Sequence, residues 1–294
     1  MTDDTRAPAA AEPPAAPEEK KETIWSFLRF LLLLFIATIL VRSLLFAPFT
    51  IPSASMMPSL LIGDYLFVSK WPYGYSRYSF PFGIVDFDGR VLGSLPERGD
   101  IAVFRYPGGR NEDFVKRVIA LPGDRVELRA GQVVLNGTPV TRERIADLLV
   151  PVTPNSPCAV RGETRLITQP DGARVCAYPR FREMLPGGRS YDVLDQVQDR
   201  VNRRSVTDTQ PAGADNVAPF VVPDGHVFVM GDNRDDSLDG RFPTAIGGVG
   251  MLPVEHIQGR ALINFFSTDG SAEWLKPWTW FSAARWDRIG RTYS

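Results

Sequence analysis

The sequence predicts a mainly β protein in which an N-terminal transmembrane helix precedes an all-β domain with an inserted, smaller β subdomain. One apolar segment of membrane length lies near the N-terminus. After it, apolar residues occur in short runs rich in β-branched and aromatic side chains, as in strands. The 25 prolines and 25 glycines among 294 residues favour frequent turns over long helices.

Residues 1–22 are rich in Ala, Pro and Glu and have little apolar surface to bury, so we expect a disordered tail. Hydrophobic residues make up 44% of the chain, enough for one or two cores. The net charge of −1 lacks the basicity that nucleic-acid binding requires, so nucleic acid is not an expected partner.

Residues 23–47 are the predicted anchor, long enough as a helix to cross a hydrocarbon core of about 30 Å. Arg29 and Arg42 lie near its ends, where long side chains reach the headgroups. The alternative is a cleavable secretory signal. Against it, the apolar run is too long, and a cut after Ala47 would have Leu45 at −3 and Pro48 immediately after it.

Flanking charges predict the orientation of a single-pass anchor. Lys20, Lys21 and Arg29 outnumber Arg42, and acidic residues count little in the positive-inside rule. The tail is therefore predicted to be cytoplasmic and the chain from about residue 48 onward to lie outside.

Cys158 and Cys176 lie 18 residues apart in an irregular region that contains prolines. A disulfide between them fits an oxidising compartment and hence an external domain. Two buried thiols remain the alternative.

The strand patterns divide the chain beyond the anchor. Residues 48–140 are the first part of the core domain, with hairpin turns at 130–131 and 136–137 that predict a meander. Residues 141–220 are polar and rich in Pro and Gly, which predicts the inserted β subdomain. Strand patterns resume in residues 221–266, the second part of the core domain.

Residues 267–294 form an aromatic and basic C-terminal segment. It holds four of the six tryptophans close to arginines and lysine. Tryptophan and arginine both favour the membrane interface, so we interpret the segment as membrane-facing. An aromatic tail packed on the protein's own surface is the alternative.

Ser55 lies in a short loop directly after the anchor, and a serine needs a neighbouring base to become a nucleophile. The two histidines, His226 in an alternating apolar run and His256 after a turn, are typical of structural positions. Lys116 is the better candidate because strand alternation places it on the face of Phe114 and Val118. Lowering a lysine pKa from about 10.4 to 7 requires roughly 4–5 kcal/mol, which burial supplies; a surface lysine on a strand edge is the alternative.

Residues 231–236 follow an apolar strand and are dense in turn-forming and acidic residues. A divalent-metal loop is disfavoured because the spacing does not alternate as in an EF-hand, and Pro243 occupies the twelfth position where a glutamate is expected. No metal site or cofactor is expected.

Four segments occur in order behind the anchor: residues 53–64, 98–104, 115–124 and 231–241. Together they resemble the successive motifs of the bacterial type I signal peptidases, which are Ser-Lys serine proteases. The resemblance spans residues 24–266. It implies a signal-peptidase-like catalytic domain in the periplasm, anchored in the bacterial inner membrane.

The resemblance also implies roles for individual residues. Ser55 matches the nucleophile and Lys116 the general base, while the Ser53 hydroxyl and the Ser55 N–H match the oxyanion hole. Ala54 stands where the family commonly has glycine, a small departure. The supporting residues are Ser237, which holds the base lysine, Arg117, and the ion pair of Asp239 with Arg241.

Family members cut secretory preproteins after small residues at −1 and −3, which implies shallow apolar pockets for an Ala-X-Ala sequence. The expected pocket walls are Phe49, Ile51, Met56, Leu60, Phe114 and Val115, with the extended substrate added as a strand. The implied partners are preproteins and membrane lipid.

Two other functions are compatible with parts of the sequence. One is a related Ser-Lys maturation peptidase with a different substrate, such as a self-cleaving repressor or a pilin-maturing enzyme. The repressors are soluble and bind DNA, which the anchor and the neutral charge disfavour. The other is an inactive, membrane-tethered binding protein, which the presence of Ser53, Ser55, Lys116 and Ser237 together disfavours.

Overall fold

A computed structural model describes residues 24–81, 85–196, 215–273 and 275–293. The predicted tail, 1–22, and Trp274 lie outside the described residues. The chain divides into two compact units, one ending at Thr38 and the other running from Ile39. The boundary falls within the first helix, α1 (Ile24–Leu44), whose 21 residues are long and apolar enough to cross a membrane.

The largest sheet has seven strands, and every neighbouring pair is antiparallel. Its strands in chain order are β1 (Phe46–Thr50), β2 (Asp64–Ser69), β3 (Ile101–Arg105), β4 (Asp113–Ala120), β13 (His226–Met230), β14 (Leu252–Pro253) and β15 (Ile257–Ser267). The spatial order is β1-β2-β15-β3-β4-β13-β14, which leaves β1 at one edge. The last long strand, β15, therefore pairs with β2 on one side and with β3 on the other.

A second sheet contains four strands, β5 (Arg125–Arg129), β6 (Gln132–Leu135), β7 (Thr138–Pro139) and β12 (Val217–Val221). Two-residue turns connect the first three of these strands. Ala130 and Gly131 have φ of 46° and 78°, and Asn136 and Gly137 have φ of 53° and 82°. Positive φ at both central residues matches the twist of a hairpin, and the predicted meander is confirmed.

A third sheet contains β8 (Thr141–Pro151), β9 (Arg165–Thr168), β10 (Arg174–Met184) and β11 (Ser190–Leu194). The disulfide Cys158–Cys176 ties the segment before β9 to β10, with a Cα–Cα distance of 5.4 Å. The structure thus favours the disulfide over two free thiols. The strands confirm that much of the polar region is β structure, while its separate folding as a subdomain stays a prediction.

The main apolar core joins all three sheets. Phe228 and Ile119 of the large sheet pack with Val126 of the second sheet and with Phe181 and Val193 of the third. All five side chains are at most 6% exposed. Burial of apolar area at this junction is what holds the sheets together, since it is the dominant favourable term in folding. The mainly β fold predicted from the sequence is therefore confirmed.

The C-terminal segment contains a short helix, α2 (Trp278–Ala283), and is tied to the large sheet by Arg288. The Arg288 guanidinium pairs with Asp64 at 2.5 Å, and both side chains are at most 5% exposed. Trp278, Phe281 and Trp286 remain 60–72% exposed. The segment is thus anchored through its arginine while most of its aromatic surface is left open.

Candidate active site

Ser55 lies in the turn between β1 and β2 and is 7% exposed. Asn233 fixes this turn. Its backbone N–H donates to the Ser55 carbonyl at 3.1 Å, and its Nδ2 donates to the Ala54 carbonyl at 3.2 Å. Its Oδ1 accepts a hydrogen bond from Gln196 Nε2 at 3.2 Å. The backbone that carries the Ser55 hydroxyl is therefore held by the loop after β13.

Lys116 lies in β4 and points toward that hydroxyl. Its Nζ donates to Ser55 Oγ at 2.8 Å and to the Val115 carbonyl at 3.0 Å. The residue is 4% exposed, and Nζ lies 5.6 Å from the centroid of the Phe114 ring. The lysine and the serine are thus in direct contact within a largely apolar surrounding.

Burial lowers the pKa of Lys116 from 10.5 to about 8, because the interior disfavours the ammonium form. The charges of Asp239 and Asp232 oppose the shift, and that of Arg241 adds to it. Both carboxylates are themselves paired with arginines, which weakens their hold on the amine. The neutral form of Lys116 is therefore easier to reach near neutral pH than that of an exposed lysine.

Ser53 lies beside the same hydroxyl, with 3.3 Å between the two Oγ atoms. Within the described part of the chain, no group accepts a hydrogen bond from the backbone N–H of Ser55. The Ser53 hydroxyl and this N–H are thus two donors near the Ser55 oxygen. Such donors stabilise an oxyanion when they are aimed at the position of its charge.

Ser237 is buried in the loop after β13, and its side chain lies against Gly231. A Cβ on Gly231 would lie 2.6 Å from the Ser55 carbonyl oxygen and closer still to Ser237 Oγ. Only a residue without a side chain lets this loop approach the serine turn so closely.

Arg117, the neighbour of Lys116, connects the three segments that form the site. Its Nε and Nη2 each lie 2.7 Å from a carboxylate oxygen of Asp232, a buried bidentate pair. Nη2 also donates to Ser59 Oγ at 2.9 Å, and Nη1 donates to the Gly99 carbonyl at 2.6 Å. Ser59 in turn donates to Asp232 at 2.5 Å. One guanidinium therefore holds β4, the serine turn and the loop after β13 together.

Asp239 and Arg241 form a second buried pair, with Nε–Oδ1 and Nη2–Oδ2 distances of 2.9 and 3.0 Å. Asp239 also accepts a hydrogen bond from the Gly231 N–H at 2.8 Å, and Arg241 donates to the Arg234 carbonyl at 2.7 Å. Burial acts to raise the pKa of Asp239, but Arg241 and the backbone donors hold it below its usual value. The ionised pair therefore fixes the loop that carries Ser237.

An open groove of about 560 Å³ runs over Ser55 and Lys116. Four of the expected wall residues line it, together with Ser53 and Ser237: Phe49, Ile51, Phe114 and Val115. The groove is bounded on one side by the edge strand β1 and the residues after it, and on the other by the start of β4.

The other two expected wall residues, Met56 and Leu60, do not lie on the surface of the groove. Both are fully buried and pack with Leu66, Ile101 and Ala261 in a core cluster beneath it. In the turn after β1 these side chains face inward because the sheet behind them offers apolar surface to cover. They support the groove from behind.

The histidines make their hydrogen bonds away from Ser55. His226 Nδ1 lies 2.9 Å from the Asp224 carbonyl, and His256 Nδ1 lies 3.0 Å from the Arg105 carbonyl. Within residues 24–81, 85–196, 215–273 and 275–293, no group of three or more His, Cys, Asp or Glu side chains is arranged to hold a metal ion.

The local sequence does not indicate four further residues of the site: Ser59, Gly231, Asp232 and Asn233. Each lies within a segment of the family resemblance. Their contacts cannot be read from local sequence because they join positions far apart in the chain; Ser59 and Asp232 are 173 residues apart. Gly231 carried one usable signal, since a glycine directly after an apolar strand indicates a close backbone approach.

The fold and the site together define a class, namely a mainly β protein with the candidate site of a serine hydrolase. The chain belongs to the signal peptidase family, peptidase S26, whose family model matches residues 24–266.

The chain is similar in sequence to signal peptidases I of two Rickettsia species. The chain is 34% identical over 268 residues to signal peptidase I of Rickettsia akari (strain Hartford), covering 86% of this chain and 87% of the relative. It is 34% identical over 234 residues to signal peptidase I of Rickettsia typhi (strain ATCC VR-144 / Wilmington), covering 78% and 75%. The crystal structure of a signal peptidase I from Enterococcus faecalis V583 matches 57% of this chain and 97% of its own, with 19% identity and a TM-score of 0.26.

Proposed function

We propose that this chain is a membrane-anchored endopeptidase that removes N-terminal signal peptides from secreted preproteins, cutting after the small residues of an Ala-X-Ala sequence. Ser55 is the nucleophile and Lys116 the general base. The observation that carries the proposal is the 2.8 Å contact between the buried Lys116 amine and Ser55 Oγ. Family membership supports the substrate class.

The proposed reaction begins when neutral Lys116 accepts the proton of Ser55 as Oγ attacks the scissile carbonyl carbon. The Ser53 hydroxyl and the Ser55 N–H stabilise the resulting oxyanion. Protonated Lys116 then gives its proton to the leaving amine of the mature protein, and the signal peptide stays as an ester on Ser55. Lys116 next deprotonates a water that attacks this ester, which frees the signal peptide and restores the serine.

Substrate binding follows from the groove. An extended chain lying between the residues after β1 and the start of β4 satisfies its backbone groups as an added strand. Ile51, Phe114 and Val115 offer apolar surface to the side chains that enter the groove. The proposed preference for alanine at −1 and −3 requires that these apolar walls admit only small side chains.

Helix α1 is the proposed single-pass anchor in the bacterial inner membrane, with its N-terminus cytoplasmic and the β domain periplasmic. The Cys158–Cys176 disulfide supports an oxidising compartment for the domain. The exposed Trp278, Phe281 and Trp286 support contact of the C-terminal segment with lipid. The net charge of −1 supports the absence of a nucleic-acid partner.

The proposal is tested by incubating the purified full chain in detergent with a preprotein whose signal ends in Ala-X-Ala. We expect one cut after that alanine, identified by the new N-terminus of the product, and no cut by Ser55→Ala. The matched control is Ser271→Ala, which removes an exposed hydroxyl that donates a hydrogen bond to Asp269; this variant should cleave normally. An intact preprotein with wild type, or cleavage by folded Ser55→Ala, contradicts the proposal.

The pH dependence of the rate follows from the Lys116 pKa. Only the neutral amine accepts the Ser55 proton, so kcat/KM should level off above about pH 8 and fall about tenfold per pH unit below it. Initial rates between pH 6 and about 10 measure this limb. A flat profile across pH 8 would show that a different group is the base.

Gly231→Ala should lower the cleavage rate by roughly 10²-fold or more, because the new Cβ displaces the Ser55 carbonyl and Ser237 and thereby shifts the nucleophile. Steady-state rates measure the loss, and the thermal unfolding midpoint shows whether the fold is kept. A folded variant with the wild-type rate would mean that this close approach does not position Ser55.

A further inference from the structure

Another cavity, of about 620 Å³, lies at the C-terminal end of α1 and takes no part in the proposed reaction. Arg42, in the last turn of the helix, lines it together with Ala47 and Phe49 of β1. Lys70, the residue directly after β2, also lines it, and its backbone N–H donates to the Leu45 carbonyl at 3.0 Å. The cavity is thus built from the chain that directly follows the apolar helix.

The charges that line this cavity are mostly positive. Among the described residues that line it, one carboxylate, that of Asp113, is accompanied by four cationic side chains: Arg42, Lys70, Arg77 and Arg105. Among the described residues, neither Arg42 nor Lys70 has a carboxylate within ion-pair distance. The cavity therefore holds positive charge that the described protein groups leave unbalanced.

The single carboxylate is already engaged. Asp113 pairs with Arg105, with 3.0 Å between Oδ1 and Nε, and accepts a hydrogen bond from Gln258. The same Gln258 accepts a weak hydrogen bond from Lys70 Nζ at 3.4 Å. Arg77 lies within ion-pair distance of three acids that do not line the cavity, Asp86 at 3.3 Å and Asp88 and Glu255 each at 3.8 Å. None of these contacts neutralises Lys70.

Lys70 is 2% exposed, an unusual position for a lysine without a counter-ion. Burial lowers its pKa to about 8, and the charges of Arg42, Arg90 and Arg105 add to the effect while Asp113 opposes it. An anion in the cavity would remove this penalty, since opposite charge nearby favours the ammonium form.

We propose that the cavity binds the phosphodiester headgroup of an anionic phospholipid, with Lys70 and Arg42 as its principal contacts. Cationic side chains recognise phosphate through charge-assisted hydrogen bonds. The lipid source rests on the proposed anchoring: 21 helical residues span about 31 Å, the thickness of the hydrocarbon core, which places Arg42 at headgroup level. Phe49 and Asp113 line both this cavity and the substrate groove, so the headgroup lies next to the groove.

The test measures lipid retained by the full chain in non-ionic detergent, using native mass spectrometry with dioctanoyl phosphatidylglycerol or dioctanoyl phosphatidylcholine. Wild type should prefer the anionic lipid. The double variant Arg42→Gln/Lys70→Met should lower its affinity about tenfold or more. Arg129→Gln removes one exposed arginine of β5 and is the control that should bind normally.

Asp113→Asn gives the opposite sign, which a folding defect cannot imitate. It removes the only carboxylate among the described residues that line the cavity and frees Arg105, so affinity for phosphatidylglycerol should rise. Equal retention of both lipids, or wild-type affinity in the double variant, overturns the proposal. So does complete displacement of the lipid by an equal concentration of inorganic phosphate or of an acidic peptide, since the cavity would then serve a soluble ligand.

Lipid retention needs no proteolysis, so the same titration is made with Ser55→Ala. Selective binding together with failure of wild type to cut a preprotein would contradict the proposed reaction and leave the lipid site standing. Normal cleavage without lipid selectivity would contradict the lipid site and leave the proposed reaction standing.

Discussion

Replacing Lys116 by methionine is expected to lower kcat/KM for preprotein cleavage by roughly 10⁴-fold or more, the loss typical of removing an essential base from a serine hydrolase. Methionine keeps most of the apolar stem in a site where Lys116 is only 4% exposed. It removes the amine that lies 2.8 Å from Ser55 Oγ. The fold should therefore survive while the serine loses its proton acceptor.

The measurement compares initial cleavage rates of purified wild type and variant at about pH 8.5–9. This pH lies above the Lys116 pKa of about 8, so most wild-type amine is neutral there. Lys276→Met is the matched control, since this exposed lysine pairs only with Glu273 across the surface. A folded Lys116→Met variant within about tenfold of wild type would assign the base to another group.

Asp232→Ala is expected to lower the free energy of unfolding by roughly 3–5 kcal/mol, because it leaves the Arg117 guanidinium buried without its counter-ion. The side chains of the pair are 7% and 1% exposed, and each nitrogen–oxygen contact is 2.7 Å. Ser59 loses its acceptor in the same change. The serine turn should therefore loosen, and cleavage should fall along with stability.

Urea unfolding of the full chain in detergent, followed by tryptophan fluorescence, measures the change. Glu127→Ala is the control, because its pair with Arg129 lies on the surface and should contribute little. An unfolding midpoint equal to wild type in Asp232→Ala would mean that the Arg117 pair does not hold the three segments together.

Features set by local sequence could be predicted. The sequence predicts the anchor at 23–47 and its helix is Ile24–Leu44, since an apolar segment of membrane length, with charged residues only near its ends, specifies a helix. The turns at Ala130–Gly131 and Asn136–Gly137 were predicted because these residues tolerate the positive φ that a two-residue hairpin requires.

The meeting of Ser55 and Lys116 was less accessible to local reasoning. The two residues are 61 positions apart, and their contact depends on a strand order in which β2, β15 and β3 lie between β1 and β4. Strand alternation explains why Lys116 points toward a largely apolar face. Its pairing with the serine is a candidate from this alternation, with a surface lysine as the alternative, and the family resemblance is what favours the pairing.

The supporting contacts depend on three-dimensional packing. Arg117 contacts Asp232 across 115 positions, and nothing in its local pattern distinguishes it from an ordinary strand arginine. Met56 and Leu60 lie in a turn without a strand or helix period, so no periodicity indicates whether their side chains face the groove or the core. Both turn inward because the sheet beneath leaves apolar surface to cover.

The most direct test of the proposed mechanism is the pH profile of cleavage by Lys116→Cys after its thiol is converted to an aminoethyl thioether. The chain's two cysteines are bridged to each other, so the new thiol is the reactive one. The modified side chain matches lysine in length but carries an amine of lower intrinsic pKa. We predict that unmodified Lys116→Cys is inactive and that the fully modified protein regains cleavage with its acidic limb below the wild-type position near pH 8. Activity in the unmodified variant, or a modified protein whose limb does not move, would contradict the assignment of Lys116 as the base.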